Sequence, residues 1–405
     1  MESSAVEVKP FWRRNLVVLW IAEFGALFGF AVSTPFVPLL LHTDLGVRSS
    51  HDLALWSGAI AAAAALGMGL ASPVWGLLAD RFGRKSMLIR SLLGGGVTVA
   101  LMAFARSPAE LLGLRLIQGM VSGTVPAANA LVAAETPRAQ VGWALGVLSS
   151  SFAIGNSVGP IAGGLGSHAF GLRSMFLVGG VLLAFSAVPV VIVVRESVRR
   201  PPAGADSTSP RTVLAAAGRR QVRALVVIAA ASFLLASINS GLGQLVVLRL
   251  IEVAGDRSQS ETGLAFAAAG TGSVIAALTV ARLARRTGYL RTAIALAVLA
   301  VFILSAFATA RTDVVVIGSF AAMSLLMTGM SVSLSTMLGL EAPRQIQSFI
   351  YGISGSVTSF GFAAGPIGGG LIASVVGVQV ALGAMAAVAA VLVGLLLVAG
   401  REPLV

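Results

Sequence analysis

Long apolar stretches separated by short polar breaks run along this 405-residue chain. About 20 apolar residues are enough for a helix to cross the hydrocarbon core of a bilayer. The pattern predicts twelve such spans, at residues 15–41, 54–79, 86–105, 109–135, 141–167, 172–194, 222–250, 260–284, 289–309, 312–340, 346–373 and 376–399. The chain is therefore predicted to be an all-α membrane protein.

Composition supports this interpretation and excludes several function classes. Hydrophobic residues make up 57% of the chain and charged residues 11%, against about 25% charged residues in soluble domains. A large soluble enzyme is therefore excluded. The chain has no cysteine, and its three histidines lie far apart in sequence, so we expect neither a metal site nor a cofactor.

The net charge of +12 could indicate a protein that binds nucleic acid. The positions of the charges along the chain give a different explanation. With the N-terminus placed inside, all but seven of the 28 Lys and Arg residues fall in inner segments. Six lie in outer segments, and Arg115 lies within a span. Such a bias predicts that both termini are cytoplasmic. It explains the net charge as a topology signal, and no nucleic-acid partner is expected.

The one long polar stretch lies in the middle of the chain and contains Pro201-Pro202, Pro210 and small polar residues. This composition is typical of a linker. We therefore predict an N-terminal six-helix bundle at 1–194, a cytoplasmic linker at 195–221 and a C-terminal six-helix bundle at 222–405.

Short sequences recur between the two halves at a nearly constant spacing of 205 or 206 residues. The pairs are "ETPR" at 135–138 and "EAPR" at 341–344, "GPIAGG" at 159–164 and "GPIGGG" at 365–370, and "GLLADRFG" at 76–83 and "ARLARRTG" at 281–288. Because each half contains an even number of spans, both copies enter the membrane in the same direction. Parallel six-span halves are a recognised transporter architecture.

Four motifs carry a resemblance to a known family. The loop "GLLADRFGRKSML" at 76–88 resembles the signature of the major facilitator superfamily. The segments "LRLIQG" at 114–119, "GVLSSSFAIGNSVGPIAGG" at 146–164 and "TPFVPLL" at 34–40 are similar to motifs of its twelve-span drug/proton antiporter branch. The resemblance implies the major facilitator fold, two parallel six-helix halves, and no substrate in particular.

The charged loop between spans 2 and 3 is the most specific of these motifs. Its basic residues could serve topology alone, but that reading does not explain an aspartate or two glycines at fixed positions. The alternative that we favour is a conformational latch, which by resemblance closes the inner side in one state. Its residues are Gly76, Asp80, Arg81, Gly83, Arg84 and Lys85. Arg285 replaces the aspartate in the second copy, so the latch is expected in one half only.

Two ionisable residues, Glu23 and Arg115, lie well inside predicted spans. Intramembrane charges are costly and often mark functional sites, although Arg115 could instead reach outward and Glu23 could bond to a backbone group. An apolar cavity makes a carboxyl group easier to protonate near neutral pH. We therefore predict that the two residues carry proton coupling. Some relatives carry a further acid where this chain has Ala31, so more of the role falls on Glu23.

Span 5 combines closely spaced glycines with a proline. The set is Gly155, Gly159, Pro160, Gly163 and Gly164. Small residues four apart allow close helix packing, and a proline inside a helix removes one donor and bends it. Beyond packing, we predict that this bend seals the centre during the transport cycle.

Transporters of this architecture hold substrate near the midplane, between the halves, and by resemblance the walls are spans 1, 4, 7 and 10. Candidate substrate-binding residues are Phe24, Phe28, Gln118, Asn239, Gln244, Met323, Met327 and Met330. The three methionines lie on one helical face, which is as typical of packing as of an adaptable binding surface.

Together these features predict a monomeric transporter of the bacterial cytoplasmic membrane that exports amphipathic drugs or similar small molecules in exchange for protons. The alternative of the same fold is a proton-coupled metabolite or sugar carrier. An intramembrane protease would show HExxH or paired acids within spans, and neither is present. A receptor would need a signalling domain, and the largest loop is too small for one.

Overall fold

The computed structural model describes residues 11–137, 140–196, 218–343, 347–400 and 402. Most of the predicted linker, residues 197–217, lies outside the described residues. The structure is all-helical in the described part of the chain. The helices are α1 (Trp12–Ser33), α2 (Val37–Thr43), α3 (Ser50–Phe82), α4 (Arg84–Met102), α5 (Pro108–Val121), α6 (Thr124–Glu135), α7 (Val141–Phe170), α8 (Leu172–Phe185), α9 (Ala187–Val193), α10 (Arg219–Ala254), α11 (Ser258–Thr287), α12 (Tyr289–Ala308), α13 (Asp313–Glu341), α14 (Gln347–Val376) and α15 (Val378–Ala399).

Within the described residues, eleven helical stretches are long and apolar enough to cross a membrane. One of them, Arg219–Thr287, is 69 residues long and contains both α10 and α11, so the described part of the chain contains twelve candidate spans, as predicted. Three spans are interrupted helices, which the hydrophobic pattern does not indicate. Span 1 contains a 3-10 turn at Thr34–Phe36, span 4 divides into α5 and α6, and span 6 divides into α8 and α9.

The chain divides into two compact units. The first combines Met1–Thr34 with Gly67–Arg200, and the second combines Pro35–Leu66 with Pro201–Val405. Within the second unit, Gly58 packs tightly against α14: a Cβ at this position would lie 3.2 Å from the Gly370 Cα. The bundle boundaries at 194 and 222 stay a prediction.

Both units repeat the same helix pairs. In the first, α1 packs on α7 and α8, and α4 packs on α8. In the second, α10 packs on α14 and α15, and α12 packs on α15. These pairs are equivalent when the six spans of each half are numbered in order. The packing therefore repeats as the recurring sequences do.

The core of the first unit is apolar and lies around α1. It is formed by buried residues of α1, α4, α6, α7, α8 and α9, among them Leu19, Leu92 and Leu131. Burial of such side chains drives association in water, but helices already in lipid associate mainly by close packing. The glycines that permit this packing therefore decide how closely α1 approaches α7.

Candidate functional site

Glu23 is the most unusual residue of the first unit. Its side chain is 2% exposed, and neither carboxyl oxygen has a hydrogen-bond partner among the described residues. Buried polar groups are nearly always bonded, so such an exception calls for an explanation. The carboxyl group borders a cavity of about 250 Å³, lined by Glu23, Leu27, Val125, Asn129, Leu148, Ser149, Ser151 and Phe152.

Close packing of α1 on α7 places Glu23 at this cavity. A Cβ on Gly155 would lie 3.0 Å from the Leu27 Cβ, and one on Gly159 would lie 2.6 Å from the Ala31 Cβ. Only glycine therefore fits Gly159 without displacing α1. Gly163 and Gly164 are also buried, and α7 continues through Pro160 as one helix.

Polar side chains of α6 and α7 complete the surroundings of Glu23. Thr124, the first residue of α6, lies beside the carboxyl group. Asn129, further along α6, lines the cavity together with Ser149 and Ser151 of α7. Glu23 is the single charged residue among those that line the cavity in the described part of the chain. A change in its charge therefore has no ionic compensation within the cavity lining.

Arg115, predicted to share proton coupling with Glu23, is buried at 3% exposure. Its Nη1 donates to Gln118 Oε1 at 3.3 Å, and its guanidinium carbon lies 5.5 Å from the centre of the Phe30 ring. Glu23 accepts no hydrogen bond from it. The structure thus brings Glu23 and Arg115 into one unit but not into contact.

Span 4 is broken between Arg115 and Thr124. Ser122 is extended, and Gly123 has a φ of +127°, a conformation that favours glycine. The Trp75 indole donates to the Met120 carbonyl at 2.6 Å, and Gln118 donates to the Ser122 hydroxyl at 2.7 Å. The Trp75 donor thus satisfies a backbone carbonyl that the break leaves free. Discontinuous spans recur at ion and substrate sites of transporters.

The charged loop between spans 2 and 3 is held within its own unit. Gly83 ends α3 with a φ of +89°, and Glu196 accepts hydrogen bonds from the backbone N–H groups of Arg84 (2.8 Å) and Lys85 (3.0 Å). The Arg84 side chain donates to the Ala130 carbonyl, and Lys85 donates to the Val191 carbonyl. The loop is therefore fastened to α6 and α9.

The other three latch residues lie in α3, and the structure does not describe their side chains. They are Gly76, Asp80 and Arg81. Their part in a latch stays a prediction.

Sequence reasoning did not select Glu196, although the sequence contains a signal for it. Glu402 accepts hydrogen bonds from the backbone N–H groups of Tyr289 and Leu290 at the start of α12. It lies 206 residues after Glu196, the spacing of the recurring sequences. A carboxylate at a helix N-terminus bonds free N–H groups and complements the helix dipole. The two glutamates are thus equivalent caps of spans 3 and 9.

We expect Glu196→Ala to lower the stability of the purified protein by about 1–2 kcal/mol, because two backbone donors lose their acceptor. Glu402→Ala should have a similar effect on the second unit. Thermal unfolding in detergent measures both, with Asp256→Ala, which removes an exposed carboxylate, as the control. A melting temperature for Glu196→Ala equal to that of Asp256→Ala would contradict the capping role.

The candidate substrate residues fall into two environments. Phe24 and Phe28 are half-buried on α1 and continue a row of rings that begins at Trp20, with centroids 5.6 and 5.8 Å apart. Asn239 is exposed on α10. The remaining candidates are buried, namely Gln118, Gln244, Met323, Met327 and Met330. Gln244 lies against Gly58 and Gly370. The exposed and half-buried group is therefore the one with surface available for a ligand.

Comparison with known proteins identifies the family. The model of the Major Facilitator Superfamily matches residues 19–257 and 253–404. The chain belongs to this superfamily. It is therefore a multi-pass membrane transporter and not an enzyme, and the resemblance carried by the four motifs is confirmed.

Several relatives are named Multidrug resistance protein MdtG. That of Rahnella sp. (strain Y9602) is 33% identical over 303 residues, which cover 74% of this chain and 73% of the relative. That of Escherichia fergusonii is 42% identical over 185 residues, which cover 46% and 45%.

Solved structures of transporters share the fold. A variant of the nucleoside transporter NupG matches with a TM-score of 0.77 at 15% identity, covering 96% of this chain and all of that one. A bacterial homologue of the human lysosomal transporter Spinster, inward-facing and occupied, matches with a TM-score of 0.76 at 15% identity, covering 97% and 98%. At such identities the likeness extends to the fold only.

Proposed function

We propose that this transporter exports amphipathic drugs or similar small molecules in exchange for protons, by alternating access. We place it in the bacterial cytoplasmic membrane with both termini in the cytoplasm, acting as a monomer without a cofactor or nucleic acid. The observation that carries the proposal is the buried carboxyl group of Glu23 at a cavity of the first unit, where no other charged residue lines the cavity among the described residues.

Burial without an ionic partner links the protonation of Glu23 to the conformation of its surroundings. A buried, unpaired carboxylate is strongly disfavoured, whereas a protonated carboxyl group is tolerated. Loss of the proton therefore favours any state in which water or a donor reaches the group. A ligand or proton that binds two states unequally shifts their populations, and this is the requirement for coupled transport.

The surroundings of α1 favour an apolar or amphipathic substrate. The relatives named for multidrug resistance indicate this class, and the row formed by Trp20, Phe24 and Phe28 offers a stacking surface. Aromatic faces bind apolar bodies and attract cations. We propose Phe24, Phe28 and Asn239 as substrate contacts, since the other candidates are buried.

The motif residues of span 5 and of the charged loop are proposed to serve the conformational change. Gly155, Gly159 and Pro160 would let α7 move against α1 while remaining packed. The hydrogen bonds of Glu196 would hold the loop at Gly83 in one conformation. The latch residues of this loop would then close the inner side in one state of the transport cycle.

Transport by the purified protein in proteoliposomes with an imposed pH gradient tests the proposal. The panel contains a lipophilic cation, a neutral amphipathic compound, an anionic drug and a sugar phosphate. We expect accumulation of at least one amphipathic compound against its gradient, and collapse of that accumulation when a protonophore removes the pH gradient. Accumulation of the sugar phosphate alone would favour the metabolite carrier, and transport of every compound without gradient dependence would reject antiport.

A further inference from the structure

Three hydroxyl groups of the second unit bond to one another instead of to their own helices. Thr328 of α13 donates to Ser273 of α11 at 3.0 Å, and the Ser273 and Ser324 hydroxyl oxygens lie 2.7 Å apart. Within the described residues, none of the three donates to a backbone carbonyl. Other hydroxyls of these helices do so, as Thr279 does to the Ile275 carbonyl. We call Ser273, Ser324 and Thr328 the hydroxyl triad.

The hydroxyl triad has one hydrogen-bond donor more than it uses. Each hydroxyl carries one hydrogen and two lone pairs, so three donors are available for the two bonds. Because Thr328 donates to Ser273, the unused O–H belongs to Ser273 or to Ser324. An unbonded donor within a membrane-spanning segment is costly. This O–H therefore requires an acceptor that the triad does not supply.

Close packing of α11 on α13 holds the hydroxyl triad near the middle of both helices. A Cβ on Gly272 would lie 2.6 Å from the Ala321 carbonyl oxygen, so a larger residue there would push the two helices apart. Transporters hold substrate at about this depth in the membrane. The nearest charged residue on either helix is Arg282, nine residues after Ser273, or about 13 Å along the axis. The two helices thus surround the triad with uncharged residues.

The face of α13 that carries the triad is polar where it is exposed. Ser331 and Ser335 lie on the same helix face as Ser324 and Thr328, because the four are spaced by three or four residues. Ser331 and Ser335 are also the exposed residues of the central part of α13. A helix side that contacts lipid exposes apolar side chains, as α15 does. The polar face of α13 is therefore suited to water or a polar ligand.

We propose that the hydroxyl triad donates a hydrogen bond to an uncharged acceptor oxygen of the transported compound, such as a ketone or amide carbonyl. The inference rests on the proposed function, because it names a chemical group by which the same transporter distinguishes amphipathic compounds. A carbonyl oxygen has lone pairs and no hydrogen, so it accepts the O–H that the triad does not use. A compound without the carbonyl leaves this donor unbonded and binds more weakly.

A matched pair of probes measures the preference for a carbonyl. The cation para-benzoylbenzyl-trimethylammonium contains a ketone, and para-benzylbenzyl-trimethylammonium has a methylene group in its place and the same charge. We expect the full-length purified protein in nanodiscs to bind the ketone about fivefold more tightly than its analogue, which is the usual effect of one hydrogen bond. Irradiation attaches the ketone at its carbonyl carbon to a neighbouring C–H group. Peptide mass spectrometry should then find the label on α11 or α13.

A double variant locates the preference. Ser273→Ala combined with Ser324→Ala removes both hydroxyls that could hold the unused O–H, so the ketone should bind no more tightly than its analogue. Ser305→Ala is the matched control and should keep the preference, since Ser305 on α12 donates to the Val301 carbonyl of its own helix. A purely structural role of the triad would instead lower the affinity for both probes alike.

Four results overturn the inference. They are equal binding of the two probes by the wild type, no measurable binding of the ketone, a preference retained in the double variant, and a loss of affinity for both probes alike in that variant. Should the double variant fail to fold, a label found outside α11 and α13 in the wild type overturns the inference.

Failure of this inference is distinguishable from failure of the proposed function. If the two probes bind equally but a pH gradient still drives export of another amphipathic compound, the carbonyl site is wrong and proton antiport stands. If the ketone is preferred through Ser273 and Ser324 but no compound accumulates in response to a pH gradient, the carbonyl site stands and proton antiport fails.

Discussion

Glu23→Gln is expected to abolish accumulation of substrate driven by a pH gradient, leaving only the rate of protein-free liposomes. The glutamine side chain has the shape of a protonated glutamate, but it cannot release a proton. It should fold normally, because the native carboxyl group already lies buried without a hydrogen-bond partner in the described structure. Substrate binding should persist, since the variant resembles the protonated state. The measurement is uptake into inverted proteoliposomes, together with equilibrium binding of the same compound.

The matched control is Glu110→Gln, which makes the same change at an exposed carboxylate of α5. It should export at the wild-type rate. Loss of transport in both variants would point to a general effect of the substitution. Wild-type accumulation in Glu23→Gln would remove Glu23 from the coupling role.

The spans could be predicted from the sequence because a lipid environment imposes a simple rule. Every backbone polar group in the hydrocarbon core must be bonded internally, so the chain crosses as helices of about 20 residues. The predicted spans 222–250 and 289–309 differ from α10 and α12 by four residues or fewer at each end. The internal repeat of the two halves could also be predicted, because short matching sequences recur at a nearly constant spacing.

The break in span 4 could not be predicted because its cause is spread over several elements. Ser122 and Gly123 give a weak local signal, since serine and glycine are common in continuous membrane helices. What stabilises the break is the Trp75 donor from α3, which bonds the Met120 carbonyl. The hydrophobic pattern does not indicate such a contact, because Trp75 and Met120 are brought together only by the fold.

Glu23 could be predicted from the sequence as a residue of the site, but the side chains that surround it could not. Glu23 could be selected because an acid in a long apolar stretch is rare. Whether Arg115 contacts Glu23 could not be predicted, and in the structure Arg115 donates a hydrogen bond to Gln118 within its own helix. The serines of the cavity lie within the motif at 146–164, but serines in a helix usually bond to their own backbone, so the motif does not single them out.

Gly159→Ala is expected to destabilise the first unit by about 1–3 kcal/mol, the usual cost of overpacking a close contact. The new Cβ would lie 2.6 Å from the Ala31 Cβ and 3.0 Å from the Phe28 carbonyl oxygen, so α1 must move. Because α1 carries Glu23 into its cavity, transport should fall together with stability. Thermal unfolding followed by size-exclusion chromatography gives the first quantity, and proteoliposome uptake gives the second.

Gly146→Ala, on the same helix, is expected not to lower stability, since nothing lies within 4 Å of its added Cβ. Alanine is favoured over glycine in a helix by about 1 kcal/mol, so this variant should be as stable as the wild type or more so. Adding Ala31→Gly to Gly159→Ala removes the shortest contact and should restore part of the loss. Equal stability of Gly146→Ala and Gly159→Ala would mean that α1 and α7 are not packed as closely as the structure has them, and the position of Glu23 would then have to be set by other contacts.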